Sequence, residues 1–323
     1  MTWTGKRVLV TGGLGFLGSN LTRALVAEGA TVRVLDALLD LYGGNRFNLE
    51  GVDAQVFVGD IRDADVVSRA VEGVDVVFHI AAQTSHVDSM SDPYTDLDMN
   101  CRGNLIVLDA VRRQGARLVY AGTRGQYGRL AYVPVDEKHP SNPTDIYGIH
   151  KQAAEQQCFL WGRVHGFPVT SLRINNTYGP RHQMKHGKYG ILNWFIRLAM
   201  ENRPITVYEP GQQLRDYNYI DDVTEAFLLA GSRNEAVGEA FNLGSGSSIR
   251  FVDLVDEIVK AAGTGKRVMI PWPKDREVIE VGDYLADISK IEQFLGWRPR
   301  VGLEDGLART VAFYQAHQEE YWS

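Results

Sequence analysis

Tyr147 and Lys151 are four residues apart, a spacing that puts both side chains on one face if the segment is helical. A phenol beside an ammonium is an acid/base unit. The opposite charge favours the phenolate, and a tyrosine that starts near 10 then moves toward working pH, where it can take the proton of a hydroxyl. Thr123 follows a β-branched, apolar run at 118–121 and is placed to give a second hydrogen bond to the same oxygen. Alone, Tyr-x-x-x-Lys is as well explained by a surface tyrosine lying along a lysine stem. Its meaning depends on what else the chain brings to the same place.

Oxidation at an alcohol carbon needs an acceptor, and the start of the chain offers a place for one. Thr11-Gly-Gly-Leu-Gly-Phe-Leu-Gly18 follows the apolar run at 8–10 and opens an apolar-periodic stretch at 16–26. That is the strand, turn and helix of a dinucleotide site. The turn, comprising Gly12, Gly15, Phe16, Leu17 and Gly18, lets backbone approach a pyrophosphate and sets its charge on a helix N-terminus. A second run at 31–35 ends in Asp36, about 20 residues after the glycines, where a carboxylate holds ribose hydroxyls and repels a 2'-phosphate. The cofactor is therefore expected to be NAD rather than NADP, and the nicotinium ring would further lower the phenol.

The elements that position these residues repeat regularly. Strand-like runs at 8–10, 31–35, 55–58, 74–80, 118–121 and 169–174 alternate with helical patterns such as 62–71, 94–113 and 146–165. This predicts an α/β fold, a doubly wound parallel Rossmann sheet with ligands at the carboxyl ends of the strands. After Gly179-Pro180 the rhythm loosens into a smaller mixed α/β part. We expect an NAD-binding domain at 1–179, to which a later segment near 217–245 returns, and a predominantly substrate-binding domain at 180–323. With 23% charged residues and a net charge of -6, no basic surface points to nucleic acid. No apolar run approaches the roughly 18 residues of a membrane span, and the N-terminal residues carry no signal-peptide core, so a cytoplasmic protein is expected. Cys101 and Cys158 lack metal-ligand spacing and read as buried thiols. The basic run Arg181-His-Gln-Met-Lys-His-Gly-Lys188 has no acidic partner for a metal. It reads as a loop over an anionic substrate or as a solvated turn. His79 and His86 read as structural, with His86 near the cleft.

On these motifs the chain resembles the extended short-chain dehydrogenase/reductase superfamily, in its NAD-dependent sugar-nucleotide epimerase/dehydratase branch. The resemblance spans nearly the whole chain. It adds Gly59-Asp60-Ile61-Arg62, His79-Ile-Ala-Ala82, Asn100 with Gly103-Asn104, Tyr127-Gly128, and Arg173-Ile-Asn-Asn-Thr-Tyr-Gly-Pro-Arg181. Further on come Leu214-Arg-Asp-Tyr-Asn-Tyr-Ile-Asp-Asp-Val223, Phe241-Asn-Leu-Gly244 and Leu295-Gly-Trp-Arg-Pro299. The resemblance implies that Asp60 and Ile61 hold the adenine, that Ala81 and Asn100 line the cofactor cleft, and that Thr123, Tyr147 and Lys151 are catalytic. It implies a nucleoside diphosphate-sugar substrate contacted by Asn176 and Arg215, with Arg276 nearby. A guanidinium fork suits phosphate oxygens, although Arg215 also reads as a structural ion pair with Asp216 or Asp221. A homodimer through two helices on one sheet face is implied as well.

The surroundings of the tyrosine then bear on the reaction. Dehydratases of this branch place an Asp-Glu pair directly after the catalytic Thr, whereas this chain has Arg124 and Gly125, so dehydration is disfavoured. Decarboxylases carry a Glu near that place and an Arg after the catalytic Lys, where Gln152 stands here. What remains is epimerisation, most often at C4 of a hexose. Alternatives are a C2 epimerase of a CDP-dideoxysugar, to which Ala82-Gln83 is similar and in which Gln83 would meet substrate, a 4,6-dehydratase, and a non-catalytic NAD-sensing protein. Arg124 either reaches a sugar substituent or carboxylate or braces its loop. The stretch 38–45, with Tyr42-Gly-Gly-Asn45, reads as a subgroup mark.

Overall fold

The computed structural model describes residues 2–40, 42–273 and 282–322. The apolar runs become β1 (Arg7–Thr11), β2 (Thr31–Asp36), β3 (Ala54–Val58), β4 (Val76–His79), β5 (Arg117–Thr123) and β6 (Val169–Ile174). With the later strand Ala240–Asn242 they form a parallel seven-stranded sheet in the order Ala240–Asn242, β6, β5, β4, β1, β2, β3. The winding reverses between β1 and β4, and at such a switch point a crevice opens beyond the carboxyl ends.

Both faces are covered because successive residues point to opposite sides. Val8 and Val10 pack with Leu21, Leu25 and Phe227, whereas Leu9 packs with Val107, Leu108 and Cys158. The first face is covered by α1 (Phe16–Ala27). The second is covered by α2 (Ala64–Val71) and by two helices named below. Between them run α3 (His86–Ser91) and α4 (Pro93–Leu97).

The spacing predicts one helix over 94–113, but the structure interrupts it. A π turn, Asp98–Arg102, joins α4 to α5 (Gly103–Gln114). Such turns let a side chain leave the regular helical repeat. Here Asn100 Oδ1 accepts the Gln83 N–H at 3.0 Å and its amide donates to the Gln83 carbonyl at 3.0 Å. The loop after β4 is thereby fixed.

The helix α6 (Ile146–His165) carries the Tyr147/Lys151 pair and is anchored to β6 by a buried ion pair. Arg173 meets Glu155 at 2.7 Å, with the side chains 14% and 6% exposed, and Ser171 donates to the same carboxylate at 2.6 Å. Arg173 also donates to the Tyr127 hydroxyl at 2.8 Å, which donates in turn to Asn242 Oδ1 at 2.6 Å. Motif residues far apart in sequence thus form one network behind the site.

After β6 the chain enters β7 (Asn176–Tyr178), α7 (Ile191–Met200) and β8 (Pro204–Tyr208), then α8 (Ile220–Ser232) and α9 (Phe251–Ala262). Val223 and Phe227 of α8 pack in the first core, and Ala240 pairs with Ser171, so this later segment contributes a helix and a strand to the large sheet. A third core gathers Leu192, Phe195, Ile205, Leu254 and Tyr314. Asp222 ties the C-terminal part back: its carboxylate accepts the Arg300 and Val301 N–H groups at 3.0 and 3.1 Å, and its carbonyl accepts Trp297 Nε1–H at 2.9 Å.

Candidate active site

The carboxyl ends of β1, β2, β4, β5 and β6 open on one cavity of about 1320 Å³. The floor is the first βα turn. Gly12 has φ +69, and a Cβ there would come within 2.9 Å of the Ala81 N, so the turn must be side-chain-free. At Gly18 a Cβ would strike the Gly12 carbonyl, which explains the third glycine through strand-to-helix packing rather than ligand contact. Gly12, Gly15, Phe16 and Leu17 line the cavity. The N-terminus of α1 has no side-chain cap and no acid in its first turn, leaving backbone N–H groups for an anion.

Asp36 lies at the end of β2, its two oxygens accepting the Leu14 and Leu38 N–H groups at 3.0 and 2.9 Å. Burial raises its pKa, and those two bonds only partly offset the effect. Each oxygen keeps a lone pair for a hydroxyl. Asp60 also lines the cavity, but Arg62 holds its carboxylate at 2.7 Å; burial raises its pKa, and the Arg62 bonds more than reverse this. Ile61 and Ala81 complete that wall. This bare glycine turn, followed by an open carboxylate and an apolar slot, fits a dinucleotide.

Thr123, Tyr147 and Lys151 line the cavity together, each under 10% exposed. Tyr147 is hydrogen-bonded to Thr123. Lys151 Nζ sits 4.2 Å from the Tyr120 ring centroid. The phenol is not lowered, as its neighbour in sequence led us to expect. Burial pushes Tyr147 up to about 12, and the Thr123 bond and the Arg124 charge recover only part of that. The same burial pushes Lys151 down to about 8. Desolvation of the charged form is the largest cause at both residues.

The expected substrate residues divide. Arg124 follows Thr123, lies 4.7 Å over the Tyr284 ring, and donates to Asn176 Oδ1 at 3.3 Å, so these two are brought together in the cavity wall. Arg215 lines the cavity too, donating to the Leu214 and Gly282 carbonyls at 2.9 and 2.6 Å. Asp216 instead accepts the Ser245 N–H and hydroxyl, each at 2.7 Å, and Asp221 faces Arg309. Gln83 and Asn100 do not line the cavity. The Gln83 side chain bonds the Ser85 backbone and Asn100 holds the Gln83 backbone, so both shape the loop after β4. Arg276 lies outside the described residues.

The 181–188 run is not a solvated turn: His182, Gln183, Gly187 and Lys188 line the cavity, as a loop over the substrate would, and the run is tied down. His182 is buried and packs edge-on against Phe16 at 4.8 Å, Arg181 stacks 5.1 Å over Phe313, and Lys188 pairs with Asp88 at 3.0 Å. Sequence reasoning missed Asp145, Tyr284 and Asn175 as wall residues and left His86 aside. Only Asp145 carried a signal, as a capping residue before a helix.

A family model described as the NAD dependent epimerase/dehydratase family matches residues 8–244. The chain belongs to that family. It is 33% identical over 316 residues to UDP-glucose 4-epimerase of Mycolicibacterium smegmatis, covering 96% of this chain and 98% of the relative. It is 32% identical to dTDP-glucose 4,6-dehydratase of Streptomyces niveus, with 96% and 93% covered. Among solved structures it resembles UDP-glucose 4-epimerase of Thermotoga maritima with UDP-glucose (TM-score 0.89, 31% identity, 97% and 99% covered). It also resembles the UDP-glucose 4-epimerase of Thermus thermophilus complexed with NAD (TM-score 0.86, 34% identity, 96% and 99% covered). The protein is an enzyme of the nucleotide-sugar epimerase/dehydratase family with NAD as cofactor. No helix among the described residues is long and apolar enough to cross a membrane.

Proposed function

We propose that this enzyme epimerises a nucleoside diphosphate-hexose at C4 through a 4-keto sugar. The observation that carries the reading is the wall around Tyr147: Thr123 bonds its hydroxyl, and the next two residues, Arg124 and Gly125, bring no carboxylic acid to expel a neighbouring hydroxyl. NAD, when bound, supplies an acceptor and donor of hydride at the sugar carbon.

The chain's residues do the rest. Tyr147 takes the proton of the C4 hydroxyl as the phenolate and returns it as the phenol when the ketone is reduced. Burial raises the phenol, the Lys151 ammonium and a cationic cofactor ring would favour the phenolate, and Thr123 fixes the sugar oxygen's direction. Lys151, with a pKa pushed down to about 8, is still mostly charged at neutral pH. The backbone N–H groups at the start of α1 and Asp36 hold the cofactor's pyrophosphate and ribose. Asn176, Arg215 and Arg124 line the opposite wall, where guanidinium groups suit a diphosphate. Of the Ala82-Gln83 pair on which the C2-epimerase reading leans, Ala82 lines the cavity and Gln83 is not among its lining residues. A homodimer is supported by the apolar side chains that α6 exposes, Ile149, Leu160 and Val164.

The deciding experiment incubates the purified protein with UDP-, GDP-, CDP- and dTDP-hexoses without added NAD and follows products by mass and NMR. A product of unchanged mass with an inverted C4 proton is expected; loss of one water would make the enzyme a dehydratase.

A further inference from the structure

His86 stands outside the Thr123, Tyr147 and Lys151 group yet closes on the same spot. Its Nδ1 bonds the Asp145 carboxylate at 2.6 Å. Asp145 is itself fixed, because its other oxygen accepts the Gly148 N–H at 2.7 Å and caps α6. The imidazole meets the Tyr147 ring edge-on, 4.9 Å between centroids. Gly125 adjoins it: a Cβ there would lie 3.5 Å from His86 Cε1, an ordinary contact, and 3.3 Å from Thr123 Oγ1. His86 therefore stands beside the position from which a dehydratase of this branch would project its acid.

The His86 side chain is 52% exposed and lines the cavity, and Nε2 has no hydrogen-bond partner among the described residues. An imidazole oriented by a carboxylate through one nitrogen, with the other open to a cavity, is the arrangement of a general base. The charged and titratable groups around it are Asp145 and Tyr147 from α6, Arg124 beside Gly125, and, on its own helix, Asp88 with its partner Lys188.

We propose that His86, oriented by Asp145, is a second acid/base residue of this site, acting on the carbon next to the ketone of the keto sugar. The inference rests on the epimerase reading for the origin of that ketone. In the step, neutral Nε2 takes the proton of the adjacent C–H. The electron pair of that bond forms the C=C of an enolate, whose oxygen accepts hydrogen bonds from Tyr147 and Thr123. The proton then returns from Nε2–H to the same carbon, restoring ketone and neutral imidazole. An exchange of Nε2–H with water between the two transfers leaves a solvent hydrogen on that carbon.

The test gives the NAD-loaded enzyme saturating 4-keto-6-deoxyhexoses linked to UDP, GDP, CDP and dTDP in D2O, with NMR following deuterium at the ring carbons. With at least one of them, exchange beside the ketone should run ~100-fold faster than in buffer. His86→Phe, which keeps an aromatic ring against Tyr147 and should retain NAD and melting temperature, should cut that exchange about tenfold or more. Asp145→Asn, which preserves a capping oxygen, should displace the pH midpoint of the exchange. Exchange no faster than in buffer with all four ketones, or equally fast in His86→Phe, overturns the proposal. Because a ready-made ketone needs no hydride transfer, C4 inversion of the parent sugars is a separate readout. Inversion without exchange sinks His86 alone, whereas exchange without inversion upholds His86 and sinks the epimerase reading.

Discussion

In the proposed epimerisation Tyr147 carries a proton to and from the sugar oxygen against a burial that pushes its phenol up to about 12, so its hydroxyl rather than its ring is what the reaction would require. Tyr147→Phe should lower turnover ~10²–10⁴-fold while bound NAD and melting temperature stay near those of the parent. Retained turnover would show that another group moves the proton. Two imidazoles make a stability prediction of definite sign. Burial pushes His79 down to about 3 and His182 down to about 4, so the folded protein keeps both neutral while the unfolded chain protonates them below about 6.5. Their contribution is complete above that pH and is lost as pH falls toward the folded values. Between about pH 7 and 5, urea unfolding should show a loss of roughly 2 kcal/mol per imidazole. A His182→Phe variant should show a shallower acid slope than the parent, and an unchanged slope would mean His182 is reached by water.

The site depends on how α1 and α6 are set against the sheet. Gly12→Ala puts an L side chain at φ +69 with its Cβ 2.9 Å from the Ala81 backbone nitrogen, a left-handed conformation costing ~1–2 kcal/mol before the clash is counted. We expect a lower melting temperature together with loss of co-purifying NAD, read from the absorbance of the released nucleotide. For α6 the fixing contact is the Glu155–Arg173 pair. Glu155→Ala leaves a guanidinium buried without its partner and should cost roughly 3–5 kcal/mol in chemical denaturation. A loss under about 1 kcal/mol would mean the network around Tyr127 and Asn242 holds the helix unaided. Periodicity gave the bounds of α6, since a 3.6-residue apolar pattern needs no tertiary information. It did not give the π turn at 98–102, because apolar spacing is nearly the same with or without one extra residue; what selects that turn is the bond from Asn100 to Gln83, made only when the chain is folded.

For the molecule as a whole, exposed Ile149, Leu160 and Val164 lie along one helix at 46%, 45% and 64% accessibility, more apolar surface than a solvated helix face usually shows. If copies pair there, a Leu160→Glu/Val164→Glu variant should sediment as a monomer where the parent sediments as a dimer; a parent already monomeric would discard the pairing. The parallel sheet, the cofactor turn, Asp36 and the Thr123, Tyr147, Lys151 group were legible in the chain because they rest on local rules: period-two and period-3.6 patterning, glycines where a side chain will not fit, and residues one helical turn apart. Tertiary structure alone decided the rest. It bound the Gln83 side chain to the Ser85 backbone and Asn100 to the Gln83 backbone, packed His182 of the basic run against Phe16 in the cavity wall, and set His86 and Asp145 against Tyr147. It also reversed the expected shift of the phenol. These outcomes depend on burial and on partners distant in sequence, and neither desolvation nor a contact between residues 86 and 145 has a local signature that spacing could carry.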